Sequence, residues 1–124
     1  MRLKNILITV RDMERAKCFY KEVFGLDVVM DSGSNVMLTQ GLVLQEASVW
    51  EQALNRPVAA GSNATALYFE TRDMEQFEVK LQQCDYAQHN PIHYVSQLQD
   101  NGMCRQTIRF YDPDGNLIEV GGVQ

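Results

Sequence analysis

One ten-residue pattern occurs twice and divides the chain in half. Residues 5–14 read NILITVRDME, and residues 66–75 read ALYFETRDME. The tetrapeptide Arg-Asp-Met-Glu recurs at 11–14 and 72–75, each time behind an apolar run, at an offset of 61 in a chain of 124. Self-similarity at a fixed offset marks a duplicated supersecondary unit. The repeat therefore predicts one domain over 1–124 made of two copies of a module, at 1–58 and 64–124. The stretch 55–63 (NRPVAAGSN) has linker chemistry and forms the seam. A site is expected where the copies meet.

Local patterning fills in each copy. Ile6, Ile8 and Val10 share one face of a strand over 3–10. Asp12 is an N-cap, and Met13, Ala16, Tyr20 and Val23 follow at helical spacing, with Phe19 and Phe24 widening the stripe and Gly25 as the stop. Short strands follow near 26–31, 35–39 and 42–47, then a brief helical turn at 50–54. The second copy repeats the plan. A strand over 65–71 leads to a helix capped by Asp73, with Gln76 completing a capping box. Met74, Phe77, Leu81 and Cys84 form its buried stripe, and strands follow near 92–98, 106–111 and 116–121. Each half reads as β-α-β-β-β, so the fold class is α+β.

The last hairpin can be read to the residue. Asp112-Pro113-Asp114-Gly115 places proline where a type I turn wants it and glycine where a left-handed residue must follow, which suits a three-residue loop with a glycine bulge. The register then sets Asp112 against Asn116, Tyr111 against Leu117, Phe110 against Ile118 and Arg109 against Glu119. Ile108, Phe110, Ile118 and Val120 fall on one face, and Arg109 and Glu119 on the other.

Composition narrows the function. A formal net charge of −5 with no basic cluster disfavours nucleic acid. No apolar run approaches membrane-spanning length, and MRLKNILITV is too short and polar for a secretory signal, so a cytoplasmic location is expected. Cys18, Cys84 and Cys104 form neither a disulfide framework nor a metal-binding spacing; Cys18 and Cys84 read as small core residues within helices. No serine elbow or phosphate-binding glycine loop is present.

The paired modules, the segment FYKEVFGLDVV ending the first helix, and the closing FYDPDGNLIEV resemble the vicinal oxygen chelate superfamily. That group includes glyoxalase I, extradiol dioxygenases, fosfomycin-resistance enzymes and bleomycin-resistance binding proteins. The resemblance implies mixed sheets curled around a cavity, in a homodimer. It also implies that metal-dependent members carry ligands near the middle of each module's first strand and on the last strands. The matching positions here are Asn5, Ala66 and Glu119, with Gln45 or Glu46 as the first-half acid. Asn5 offers a neutral amide and Ala66 nothing, so only Glu119 and Glu46 are ligand types. Catalytic zinc or iron sites usually need three protein ligands and favour imidazole. His89 and His93 fall on no such position.

Strand alternation gives the rest of the concave face. Asn5, Leu7 and Thr9 come from the first strand, and Ala66, Tyr68 and Glu70 from its repeat. Thr107, Arg109, Tyr111, Leu117 and Glu119 come from the last hairpin. The fourth strand supplies Val43 and Gln45, or else Leu44 and Glu46. Trp50 either lies at the rim of the cavity or packs under the linker. Glu119 is either a metal ligand or the cross-strand partner of Arg109. The leading expectation is a metal-independent protein that binds a small, partly aromatic molecule, with Glu70 favouring a cation and no cofactor. The alternative is an atypical metal-dependent lyase, isomerase or dioxygenase using a divalent ion on Glu119, Glu46 and a histidine from elsewhere. A third is an accessory module with no pocket function.

Overall fold

Asp12 and Asp73 begin the two long helices in the same way. Each is extended, and each side chain accepts from the backbone N–H three residues on, Arg15 at 3.0 Å and Gln76 at 2.9 Å. The computed structural model describes residues 1–100 and 106–123. It divides into two compact units, Met1–Ala60 and Gly61–Gln124.

The first unit runs β1 (Ile6–Val10), α1 (Met13–Phe24), β2 (Val28–Asp31), β3 (Asn35–Leu38), β4 (Leu42–Glu46) and α2 (Ala47–Leu54). Its sheet has the order β1-β4-β3-β2, with β1 parallel to β4 and the other pairs antiparallel. The stripe of α1 buries Ala16, Phe19, Tyr20 and Val23, and Val36, Leu38 and Leu44 are buried from the sheet. Gly25 ends α1 in the left-handed region at φ +70°, and its N–H reaches back to the Lys21 carbonyl.

The second unit runs β5 (Leu67–Thr71), α3 (Met74–Gln83), α4 (Asp85–His89), β6 (His93–Asp100), β7 (Gln106–Tyr111) and β8 (Leu117–Gly122). Its sheet order β5-β8-β7-β6 repeats the first. The strands β1 and β5, and the helices α1 and α3, begin 61 residues apart, matching the repeat in the sequence. Met74, Phe77 and Leu81 of α3 are buried, and so are Ile108, Phe110, Ile118 and Val120 of the sheet. The Phe77 and Phe110 rings stack at 6.4 Å. The protein is therefore α+β, with two four-stranded mixed sheets, neither closed on itself.

Several local expectations are corrected. The first strands are shorter than the apolar runs, so Asn5 and Ala66 precede β1 and β5 rather than sitting within them. Cys18 is exposed and bonded to Glu22, because it lies half a turn round α1 from the Ala16–Phe19–Val23 stripe. Cys84 is not helical: it has extended angles between α3 and the additional short helix α4. The turn expected at 50–54 is an eight-residue helix starting at Ala47, so Trp50 sits inside a helix and is half-buried. Cys104 lies outside the described residues.

Candidate functional site

The hairpin of β7 and β8 builds the most defined part of the site, and Asp112 fixes it. Asp112 is 1 % exposed, and its Oδ1 accepts the backbone N–H groups of Asp114 and Asn116, both at 2.9 Å. Gly115 takes φ +86° and donates to the Asp112 carbonyl, closing the bulge. The ladder then pairs Tyr111 with Leu117, Phe110 with Ile118 and Arg109 with Glu119, the register read from the turn chemistry.

Parallel pairing with β8 adds β5 to the same face, because partners across a ladder point to the same side. Tyr68 lies beside Glu119, which faces Arg109; Glu70 lies beside Gly121, which faces Thr107. One face of this sheet therefore carries Tyr68, Glu70, Thr107, Arg109, Tyr111, Leu117 and Glu119. Arg109 Nε donates to Glu119 Oε1 at 2.6 Å, with both side chains part-exposed. The Tyr111 hydroxyl donates to Asn63 Oδ1 at 2.6 Å. Thr107 is buried, and its Oγ1 has no hydrogen-bond partner among the described residues.

Gly121 gives this face a feature that strand alternation did not reveal. A Cβ built there would sit 2.2 Å from the Tyr68 hydroxyl and 3.0 Å from Cζ. The Tyr68 phenol thus lies down over the glycine, along the sheet. Strand alternation also missed His93, which pairs with Tyr111 at the start of β6 and is exposed. Its place depends on a strand whose register slips twice, so period-2 counting does not find it. His89 is on α4, with Nδ1 3.0 Å from the Asp85 carbonyl oxygen.

In the first unit, the parallel register resolves the fourth strand. Leu7 pairs with Val43 and Thr9 with Gln45, so Gln45 shares their face and Glu46 falls on the other. Glu46 Oε1 takes the Ser48 hydroxyl at 2.6 Å beside the start of α2. Asn5 Nδ2 donates to the Gly41 carbonyl at 3.3 Å, and Trp50 sits on α2. Away from both faces, a depression of about 480 Å³ lies at the first turn of α3, lined by Thr71, Asp73, Gln76, Phe77 and Lys80. Within it, Asp73 Oδ1 already accepts the Gln76 backbone N–H that caps the helix.

Two β-α-β-β-β units with parallel β1–β4 and β5–β8 pairs define a protein of the glyoxalase type, within the vicinal oxygen chelate superfamily. The family model of the glyoxalase-like domain matches residues 3–123, and the chain belongs to that family. A protein of unknown function from Agrobacterium tumefaciens is 32 % identical, covering 100 % of this chain and 95 % of the other, with a TM-score of 0.80. A glyoxalase-related enzyme from Fulvimarina pelagi shares the fold at 16 % identity, 98 % and 88 % coverage and a TM-score of 0.81. The fosfomycin resistance protein FosX from Mesorhizobium loti does so at 14 % identity, 99 % and 92 % coverage and a TM-score of 0.68. No curated protein matches the chain.

The residues at the ligand positions that the resemblance implied do not fit a metal. Asn5 spends its amide on Gly41, Ala66 has no donor atom, and Glu119 already holds a guanidinium. Among the described residues, no group of three or more His, Cys, Asp and Glu side chains is placed to hold an ion. No helix among them is long and apolar enough to cross a membrane.

Proposed function

We propose that this chain is a small-molecule-binding protein that works without a metal, like the sequestering, bleomycin-resistance branch of its superfamily. The observation that carries the reading is the 2.6 Å contact between Arg109 and Glu119. A carboxylate neutralised by a guanidinium is a poor ligand for a cation, and the pair sets a charged, orienting group on a face that also carries Tyr68 and Tyr111. A few polar groups among aromatic and apolar side chains are the makings of a small-molecule site. The enzymatic alternative would require Glu119 to leave Arg109 and Glu46 to leave Ser48, from the face of β4 opposite Gln45, while Asn5 and Ala66 supply no ligand of the usual type.

The test is elemental analysis of protein purified without a histidine tag. The expected result is no stoichiometric transition metal. About one zinc, nickel, iron or manganese ion per chain would overturn the reading in favour of an enzyme. The working unit is proposed to be a cytoplasmic homodimer. Edge strand β2 exposes Val28, Val29 and Met30, and an exposed apolar edge is a liability unless a second copy covers it. Sedimentation giving only a 14.2 kDa species would count against the dimer.

A further inference from the structure

We propose that the Arg109 face of the second sheet binds the carboxylate of a small, singly charged ligand. The outer edge of the Arg109 guanidinium and the hydroxyls of Thr107 and Tyr68 hold it. The inference rests on the binding-protein reading and names the chemistry of the ligand.

Three observations converge. First, Glu119 meets Arg109 at Nε, 2.6 Å away. A guanidinium presents five N–H donors, and among the described residues Arg109 has no partner besides Glu119, which leaves the edge of its two terminal nitrogens to a ligand. That edge matches the two oxygens of a carboxylate, giving two parallel charge-assisted hydrogen bonds. Second, Thr107 stands two residues before Arg109 on the same strand and the same face. It is 2 % exposed, and its Oγ1 has no partner among the described residues. A buried hydroxyl without a partner is costly, so an acceptor atom brought to it is favoured. Third, the Tyr68 hydroxyl lies over Gly121, in the ladder row of Thr107, and has no hydrogen-bond partner among the described residues. These groups supply donors in excess of acceptors, and an oxyanion is the complement they lack.

The surrounding charges set the ligand's charge. Glu119 is neutralised by Arg109, while Glu70 lies beside Gly121 on exposed edge strand β5. Water screens Glu70 enough for one negative charge to be tolerated next to a guanidinium. A phosphate dianion would place a second charge among these carboxylates. The face therefore selects a carboxylate over a phosphate.

The test is a nitrogen-15 NMR titration of the full chain with four probes that share one ring: benzoate, phenyl phosphate, benzamidine and benzyl alcohol. Benzoate is expected to shift the Thr107 and Gly121 amides and the Arg109 Nε–H saturably, and about tenfold more tightly than the other three. Thr107→Val removes the hydroxyl and keeps the shape. It should weaken benzoate binding several-fold while the thermal midpoint holds or rises. Arg109→Lys, which keeps the charge and loses the fork, should weaken it more. No saturable shift with millimolar benzoate overturns the inference. So does unchanged affinity in Thr107→Val. Equal or tighter binding of benzyl alcohol, benzamidine or phenyl phosphate at the same signals also overturns it, while leaving the binding-protein reading intact. That reading fails separately, on the metal analysis.

Discussion

The Tyr68 phenol occupies the space that a side chain on Gly121 would need, its hydroxyl 2.2 Å from the position of a built Cβ. The clash is with the far end of a side chain that is 43 % exposed, so the ring has room to swing away. Gly121→Ala should cost about 1 kcal/mol or less of stability, the low end for adding a methyl group. It should nonetheless lift Tyr68 off the sheet. The check is denaturant unfolding together with ring-proton contacts to residue 121. A ring that keeps those contacts in the alanine variant would contradict the placement.

Arg109 and Glu119 should be energetically coupled. Their side chains are 39 % and 25 % exposed, so solvent screening limits the pair to about 1 kcal/mol. Either single alanine replacement strands a half-buried charge, and the double replacement should be milder than the sum of the two. A double-mutant cycle in urea measures this, and strict additivity would mean that the pair does not form in solution.

Asp112 should be among the most sensitive positions in the second unit. Its Oδ1 holds two backbone N–H groups, its Oδ2 takes the Asn116 side-chain amide at 2.9 Å, and it is 1 % exposed. Asp112→Ala should cost about 2–3 kcal/mol, since it leaves buried donors unmet. Asp112→Asn keeps the Oδ1 acceptor and should cost less. Thermal or urea unfolding of the two variants decides the order.

Acid should loosen the first unit through Glu51. Its carboxylate takes both terminal nitrogens of Arg11, at 2.9 and 2.8 Å, and the Val58 N–H at 2.8 Å. The Arg11 guanidinium, then the Val58 N–H, lower its pKa from 4.5 to about 2. The unfolded chain thus takes up this proton first as the pH falls. The contribution is complete above pH 4.5 and is lost progressively down to about 2. Glu51→Gln should flatten the pH dependence of stability within that window and leave its shape unchanged above it. An identical acid limb in the variant would show that the contact does not hold in solution.

The duplication, the two aspartate caps, the Gly25 stop and the 109–119 register were all legible in the sequence. Each depends on residues a few positions apart, or on a turn that dictates the strands it joins. Other features had no such local signal. The assignment of Gln45, rather than Glu46, to the face of Leu7 and Thr9 needed the parallel register between β1 and β4. The pairing of His93 with Tyr111 was hidden by the two register shifts in β6. The Tyr111–Asn63 bond joins residues 48 apart, and the repose of Tyr68 on Gly121 joins neighbouring parallel strands. Local sequence thus determined the elements, their ends and the shared module plan, because caps, turns and helical stripes act over one or two turns of chain. Tertiary structure alone decided that Gln45 joins Leu7 and Thr9, that Tyr68 lies over Gly121, and which polar atoms stay unpaired among the described residues. These depend on non-local register and burial, which no single stretch of sequence encodes.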